Sequence, residues 1–244
     1  MPLRPQGEPL SEHIGIVAVS AEGAALCYRT ICKEGAELFG RYAHPEVSIH
    51  TYPLSEYVRH IQGDRWQDVA SMLLSSAGKL RDAGATLLIC PDNTVHQGLD
   101  LVRDQSPLPW LHIAEEVGQA ARERGFGRLL VLGTKSLMDG PVYGRKLHPL
   151  GIATDIPPLE RRSQIDAFIF DELVQGELKE STRSTFRQII EEGKDRGSDA
   201  VVLGCTEIPL LIGQSDSTLP VLDSTRILAR AALRVVARRD TPAP

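Results

Sequence analysis

The sequence has few cysteines and no apolar run long enough to cross a membrane. The four cysteines, Cys27, Cys32, Cys90 and Cys205, show neither Cys-x-x-Cys spacing nor the density of a disulfide framework. Reduced thiols of this kind are typical of the cytoplasm, where we expect this protein. A membrane span needs about 20 apolar residues, and residues 1–13 also lack the apolar core of a signal peptide. We therefore expect no membrane partner.

The sequence also lacks an excess of basic residues and the common cofactor motifs. It has 27 Lys and Arg against 32 Asp and Glu, a formal net charge of -5. This balance argues against nucleic acid as a partner, because a phosphate-binding surface needs an excess of positive charge. There is no Gly-x-Gly-x-x-Gly, no P-loop and no lysine motif for pyridoxal phosphate (PLP). We therefore predict chemistry that uses neither a cofactor nor a metal ion.

Four short apolar runs indicate strands. They are rich in Val, Ile and Leu without polar alternation, as is typical of strands buried on both faces of a parallel sheet. The runs are IGIVAVSA (14–21), GATLLIC (84–90), GRLLVLGT (127–134) and GSDAVVLGC (197–205). Helical patterns at 68–84 and 184–197 lie between them. This alternation predicts an α/β fold with doubly wound parallel sheets.

The sequence contains an internal duplication. A shift of 113 residues places 14–21 on 127–134, and 84–94 on 197–207, in both cases without gaps. A further pair, LPWLHIAEEVGQAAR and LPVLDSTRILARAAL, matches at an offset of 111. Repeats of this length are the size of a domain, so they predict two lobes rather than a solenoid.

The duplication predicts two pseudo-symmetric lobes with the active site in the cleft between them. We expect 1–106 with 215–244 as the first lobe and 107–214 as the second. In open α/β sheets, ligands bind beyond the carboxyl ends of the strands, where polar residues follow each apolar run. The offset of 113 places Asp92 in the position equivalent to Cys205, so we expect these two residues on opposite sides of the cleft.

Asp92 and Cys205 are candidate groups for proton transfer. A carboxylate can act as a base, and so can a thiolate, whose pKa of about 8.5 a helix N-terminus can lower. Two such groups on opposite faces of one carbon can remove a proton from one side and return one to the other. The backbone amides that follow each group would hold a carboxylate and the enolate-like charge that develops.

Several motifs resemble the aspartate/glutamate racemase superfamily, over about residues 14 to 235. They are IGIVAVSAEGAALCYRTI, PDNTVH, VLGTKSLMDGPVYGRKL, DELVQG and VLGCTEIPLL. The resemblance implies two similar α/β lobes, a homodimer, and inversion of amino acids without PLP through two cysteines. It implies that Cys205 is the second of these cysteines. It also implies a substrate-binding set made of Ser20, Asn93, Thr94, Thr134 and Thr206.

Two positions depart from the pattern that the resemblance implies. Asp92 stands where the first catalytic cysteine is expected, whereas Cys90 falls on Leu203 of the repeat and is expected inside a strand. Gln164 stands where some members for acidic amino acids have a lysine that helps to hold the distal carboxylate, so the substrate side chain stays open. We expect His96 and Glu207 to contact the catalytic groups without binding the substrate themselves.

The sequence therefore predicts a cofactor-independent amino-acid racemase, with Cys205 exchanging a proton on one face of Cα and Asp92, directly or through water, on the other. The substrate would be an amino acid or another small carboxylate. Two alternatives stay open. The first is a decarboxylase or cis-trans isomerase of a dicarboxylic acid that uses a single cysteine. The second is a small-molecule sensor on the same scaffold without catalysis.

Overall fold

The computed structural model describes residues 12–239 of the chain, which form two compact units. The first unit contains residues 12–91, 98–112 and 228–239, and the second contains residues 92–97 and 113–227. Each unit has its own four-stranded parallel sheet. Within the described residues, no helix combines the length and the apolar character that a membrane span requires.

The sheet of the first unit has the strand order β2-β1-β3-β4, and all its strands are parallel. Its strands are β1 (His13–Ala18), β2 (Glu46–Thr51), β3 (Leu87–Ile89) and β4 (Trp110–Leu111). Ile14 of β1 pairs with Val47 on one side and with Leu87 on the other. Every residue of β1 is buried, as the unbroken apolar run predicts for a central strand.

The sheet of the second unit repeats this order as β6-β5-β7-β8, again with every strand parallel. Its strands are β5 (Arg128–Leu132), β6 (Ala153–Asp155), β7 (Ala200–Leu203) and β8 (Val221–Asp223). The four strands predicted from apolar runs correspond to β1, β3, β5 and β7. The predicted α/β fold with parallel sheets is therefore confirmed, and the two units share one topology.

Helices alternate with these strands throughout the chain. Their bounds are α1 (Ala21–Phe39), α2 (Leu54–Gln62), α3 (Trp66–Asp82), α4 (His96–Val102), α5 (Ile113–Glu123), α6 (Lys135–Asp139), α7 (Val142–Leu147), α8 (Leu159–Asp171), α9 (Glu180–Asp195), α10 (Ile208–Leu211) and α11 (Ser224–Arg239). The helices predicted at 68–84 and 184–197 correspond to α3 and α9.

Both faces of the second sheet are buried. Alternate residues of β5 and β7 pack against α8 and α9 on one face, and the residues between them pack against α5 and α7 on the other. Leu130 and Leu203 belong to the first face, whereas Leu129 and Val202 belong to the second. This two-sided burial explains why β5 and β7 have no polar alternation in their sequence.

The two units differ from the predicted lobes in three segments. Residues 107–112 belong to the first unit, because β4 pairs with β3. Residues 215–227 belong to the second unit, because β8 pairs with β7. Residues 92–97 also belong to the second unit, although the strand before them lies in the first. The cleft expected between the lobes stays a prediction.

Gly193 of α9 allows this helix to approach the second sheet closely. A Cβ at this position would lie 2.5 Å from Cδ2 of Leu130, which is fully buried. Gly193→Ala is therefore expected to lower stability by up to about 2 kcal/mol, because overpacking costs about 1–3 kcal/mol and the gain in helix propensity of about 1 kcal/mol offsets only part of this cost. Thermal unfolding of the variant should show a lower midpoint.

Gly78→Ala in α3 is the matched control, because a Cβ there meets nothing within 4 Å. This variant should gain about 0.5–1 kcal/mol from helix propensity alone. An equal gain in both variants would contradict the close packing of Gly193 against Leu130.

Candidate active site

The loop that carries Asp92, residues 92–97, is hydrogen-bonded to other parts of the second unit. Asn93 Nδ2 donates to Ser224 Oγ at 3.0 Å, and the hydroxyl oxygens of Thr94 and Thr134 lie 3.1 Å apart. These bonds explain why the loop belongs to the second unit rather than to the first. Asp92 and Cys205 consequently lie in the same unit, whereas the sequence predicts one in each lobe.

The Asp92 carboxylate caps the turn that begins its own loop. Asp92 Oδ1 accepts a hydrogen bond of 3.1 Å from the amide of Val95. Burial raises the pKa of Asp92 from the ordinary 3.8 to about 6; the Val95 and Thr94 amides oppose this rise, and the charge of Glu207 adds to it. Asp92 is therefore mostly ionised at neutral pH, but it is a stronger base than an exposed aspartate.

Cys205 follows β7 directly after Gly204, where the chain passes close to β5. The amide of Gly204 donates to the carbonyl oxygen of Leu132 at 2.7 Å. A Cβ at Gly204 would lie only 2.9 Å from that same oxygen, which is closer than a side-chain carbon can approach. The absence of a side chain at 204 thus allows Cys205 to sit at the joined ends of two central strands.

The thiol of Cys205 is held by its neighbour Glu207. Cys205 Sγ donates to Glu207 Oε2 at 2.9 Å, and Thr206 Oγ1 donates to the same oxygen at 2.7 Å. Burial raises the pKa of Cys205 well above its ordinary value. The charge and the side-chain hydrogen bond of Glu207 raise this pKa further, and so does the charge of Asp92. A hydrogen bond from the backbone amide of Glu207 acts in the opposite direction. Cys205 is therefore a thiol at neutral pH.

Because the pKa of Cys205 is raised, the expectation that a helix N-terminus lowers it is wrong. The helix that follows, α10, has only four residues, so few peptide dipoles are aligned behind the sulfur. A buried carboxylate at hydrogen-bond distance outweighs them.

Two threonine hydroxyls face each other beside these groups. Thr134 begins α6 as its N-cap and accepts from the amide of Leu137 at 3.2 Å. Its Oγ1 lies 3.1 Å from that of the buried Thr94. The pair brings together two residues that the sequence proposes as substrate ligands. Adjacent hydroxyls of this kind can donate to the two oxygens of one carboxylate.

Asn93 has a different environment from these threonines. It is 2 % exposed, accepts from Tyr143 Oη at 2.7 Å and donates to Ser224 Oγ. Sequence reasoning missed both partners. Tyr143 lies within the quoted motif VLGTKSLMDGPVYGRKL, and a buried tyrosine hydroxyl usually has a partner, but the sequence cannot show which one.

Three further predicted residues have well-defined local environments. Ser20 lies in the first unit, where its Oγ caps α1 by accepting from the amide of Gly23 at 3.2 Å. His96 is fully buried at the start of α4. Gln164 accepts from Arg161 at 2.9 Å, and Arg161 also pairs with Glu192 at 2.6 Å. Roles for these residues in the site stay predictions.

Cys90 is buried, but it lies directly after β3 rather than inside the strand, where the repeat predicts it. Within residues 12–239, no three His, Cys, Asp or Glu side chains are grouped so that they could hold a metal ion.

Comparison with known proteins supplies the family. The family model for Asp/Glu/hydantoin racemases matches residues 16–232. The chain belongs to this family. It is 22% identical over 191 residues to the broad specificity amino-acid racemase RacX of Bacillus subtilis (strain 168), an alignment that covers 78% of this chain and 81% of the relative.

Two solved structures extend the similarity. A candidate Asp/Glu racemase from Yersinia pestis superimposes with a TM-score of 0.84 at 28% identity, over 92% of this chain and 99% of that chain. An aspartate racemase homologue from Pyrococcus horikoshii OT3 does so with a TM-score of 0.80 at 30% identity, over 93% and 99%. Fold and family therefore agree over nearly the whole chain.

The half-buried carboxylate of Asp92 should lower the stability of this racemase-family protein as the pH rises. Its folded pKa of about 6 exceeds the ordinary 3.8, so the folded state binds more protons, and stability is lost between these two values. Since one pKa unit corresponds to about 1.4 kcal/mol, the loss is at most about 3 kcal/mol. Asp92→Asn should remove it while keeping an oxygen for the Val95 amide.

Thermal unfolding between pH 4 and pH 8 checks this prediction. The midpoint of Asp92→Asn should exceed that of the wild type by an amount that grows up to about pH 6 and then stays constant. Asp104→Asn, at an exposed aspartate, is the control and should show no such trend. A constant difference at all pH values would contradict a raised pKa at Asp92.

Proposed function

We propose that this protein is a cofactor-independent amino-acid racemase in which Asp92 and Cys205 exchange protons at Cα of the substrate. The observation that carries the proposal is that Asp92, which accepts from the Val95 amide, and Cys205, whose thiol donates to Glu207, lie in the same unit. Asp92 is mostly ionised at neutral pH, whereas Cys205 keeps its proton. One group is ready to accept a proton and the other to donate one.

In the first half of the reaction, the Asp92 carboxylate removes the Cα proton from one face, directly or through a water molecule. The electron pair of the broken C–H bond moves into the substrate carboxylate as an enolate-like charge. The Cys205 thiol then donates its proton to Cα from the opposite face. The site is left with protonated Asp92 and a Cys205 thiolate, and this state accepts the other enantiomer by the reverse steps.

Glu207 sets the strength of Cys205 in both directions. Its carboxylate accepts the hydrogen of Sγ at 2.9 Å and opposes a thiolate through its charge. A thiol with a raised pKa gives a thiolate that is a stronger base once it forms. The same electrostatics that keep the proton on Cys205 therefore favour removal of a Cα proton in the reverse direction.

The hydroxyls of Thr94 and Thr134 are proposed to bind the substrate carboxylate, with Thr206 and the amides of the two loops close to the developing charge. Their separation of 3.1 Å supports a shared ligand. Hydrogen-bond donors placed where charge develops contribute more than donors to the ground state alone. Ser20 stays a candidate ligand of the substrate, and the homodimer and the cytoplasmic location stay predictions.

Exchange of Cα protons in D₂O, followed by NMR over a panel of L- and D-amino acids, tests the proposal. The wild type should exchange and invert at least one amino acid. Cys205→Ala and Asp92→Asn should each lose inversion by about 10²- to 10⁴-fold, the usual contribution of a general acid or base. Cys205→Ala keeps the Asp92 carboxylate, so it should retain slow exchange without inversion for the enantiomer whose Cα proton faces Asp92. Asp92→Asn keeps only a protonated thiol, so it should exchange the other enantiomer only at a pH high enough to form the thiolate.

Inversion at the wild-type rate in either variant would exclude the pair as the catalytic groups. Release of CO₂ from a malonate-type acid, or isomerisation of an unsaturated diacid, in place of Cα exchange would favour the single-cysteine alternatives. Ligand-induced stabilisation without turnover of any substrate would favour the sensor.

The pH dependence of kcat/KM should follow the two protonation states. For the enantiomer whose Cα proton faces Asp92, activity should rise through about pH 6, as Asp92 ionises. It should decrease only when Cys205 loses its proton, well above the ordinary thiol range. Since Glu207 contributes to raising the pKa of both groups, Glu207→Gln should move both limbs to lower pH. A shift of one limb alone would contradict this assignment.

A further inference from the structure

A buried chain of hydrogen bonds connects the Asp92 loop to β7, the strand that ends two residues before Cys205. Tyr143 Oη of α7 donates to Asn93 Oδ1 at 2.7 Å, and Asn93 Nδ2 donates to Ser224 Oγ at 3.0 Å. Ser224 Oγ then donates to the carbonyl oxygen of Leu203 at 2.8 Å. Asn93 is the residue after Asp92, and Leu203 is the last residue of β7. The chain thus starts next to one proposed base and ends two residues before the other.

Every side chain in this network is inaccessible to solvent. Tyr143 is 3 % exposed, Asn93 2 % and Ser224 0 %. Burial also raises the pKa of Tyr143, so its hydroxyl keeps its proton and stays a hydrogen-bond donor at neutral pH. A network that is fully satisfied in a low-dielectric interior is rigid, whereas loss of one member leaves a buried polar atom without its partner.

The network also gives a partner to both the oxygen and the nitrogen of the Asn93 side-chain amide. Its oxygen accepts from Tyr143 and its nitrogen donates to Ser224, so the side chain is directed into the unit and away from solvent. The sequence predicts Asn93 as a substrate ligand. The geometry favours a different role, in which the side chain holds the loop and any contact with the substrate comes from the backbone.

We propose that Tyr143 and Ser224 are positioning residues that, through Asn93, hold Asp92 at a set distance and orientation from Cys205. The proposal rests on the proposed function, since it concerns the two groups that exchange protons there. Both attachments lie in the second unit, as do Asp92 and Cys205. The geometry of the pair is therefore determined within that unit.

Tyr143→Phe and Ser224→Ala test the proposal, alone and combined. Each should lower kcat by roughly 10- to 100-fold with little change in KM, because a misplacement of about 1 Å is enough for a loss of that order. The double variant should lose much less than the product of the two single losses, since both act through Asn93. Racemisation rates and the ¹³C titration of the Asp92 carboxyl group should be measured in parallel.

The titration separates this proposal from the proposed function, because it needs no turnover. In both single variants the Asp92 midpoint should move from about 6 toward the ordinary 3.8, as the loop loosens and water reaches the carboxylate. The shift would support the positioning role even if the wild type exchanged no amino acid. The absence of exchange would then count against the proposed function alone.

Val117→Ala is the matched control, because Val117 is a buried residue of the same unit that packs in the cluster containing Tyr143. It should lower the thermal midpoint to a similar extent, yet leave the Asp92 titration and kcat unchanged. If Tyr143→Phe and Ser224→Ala change only the thermal midpoint, as the control does, the network is structural and the proposal is wrong.

Discussion

The hydrogen bonds of Asn93 hold the Asp92 loop on the second unit, and the arrangement of the candidate site depends on them. The chain leaves the first unit after Pro91, and residues 92–97 are then hydrogen-bonded to Tyr143 of α7 and to Ser224, the first residue of α11, both in the second unit. Without these bonds the loop would lose two of its attachments to that unit. With them, the carboxylate of Asp92 and the thiol of Cys205 belong to one unit, where the charge of Glu207 helps to raise the pKa of both groups and the charge of Asp92 helps to raise that of Cys205.

This unit brings together three acidic groups, the half-buried Asp92 and Cys205 and the buried Glu207, which is unfavourable for folding. Desolvation and mutual repulsion raise the pKa of Asp92 and of Cys205. The opposing contributions come from amides, those of Val95 and Thr94 for Asp92 and that of Glu207 for Cys205. Functional sites are where such unfavourable arrangements are usually retained. The apolar packing on both faces of the second sheet supplies the stability that offsets them.

Much of the fold could be predicted from the sequence, because central parallel strands leave a strong signal. Unbroken apolar runs located β1, β3, β5 and β7, and the repeat predicted one topology for both halves. The edge strands gave no such signal, since β2 is partly exposed and contains Glu46, Ser48 and His50. The unit boundaries were missed near β4 and β8 because their pairing with β3 and β7 is a long-range contact.

The sequence proposes positions for the candidate site, but it does not give the chemical environment of those residues. The repeat placed Asp92 in register with Cys205, yet protonation states depend on burial and on neighbours such as Glu207. The two halves of the chain share one fold, but the residues at the equivalent positions, Asp92 and Cys205, differ chemically. Two identical groups with equal proton affinity share one proton equally. In only half of the molecules does the proton then lie on the group that must donate it. For the proposed reaction, an acid that ionises near pH 6 paired with a thiol of raised pKa has the required protonation state over the whole pH range between the two values. In that proposal, the chemical difference between Asp92 and Cys205 supplies an asymmetry that two identical residues could obtain only from their surroundings.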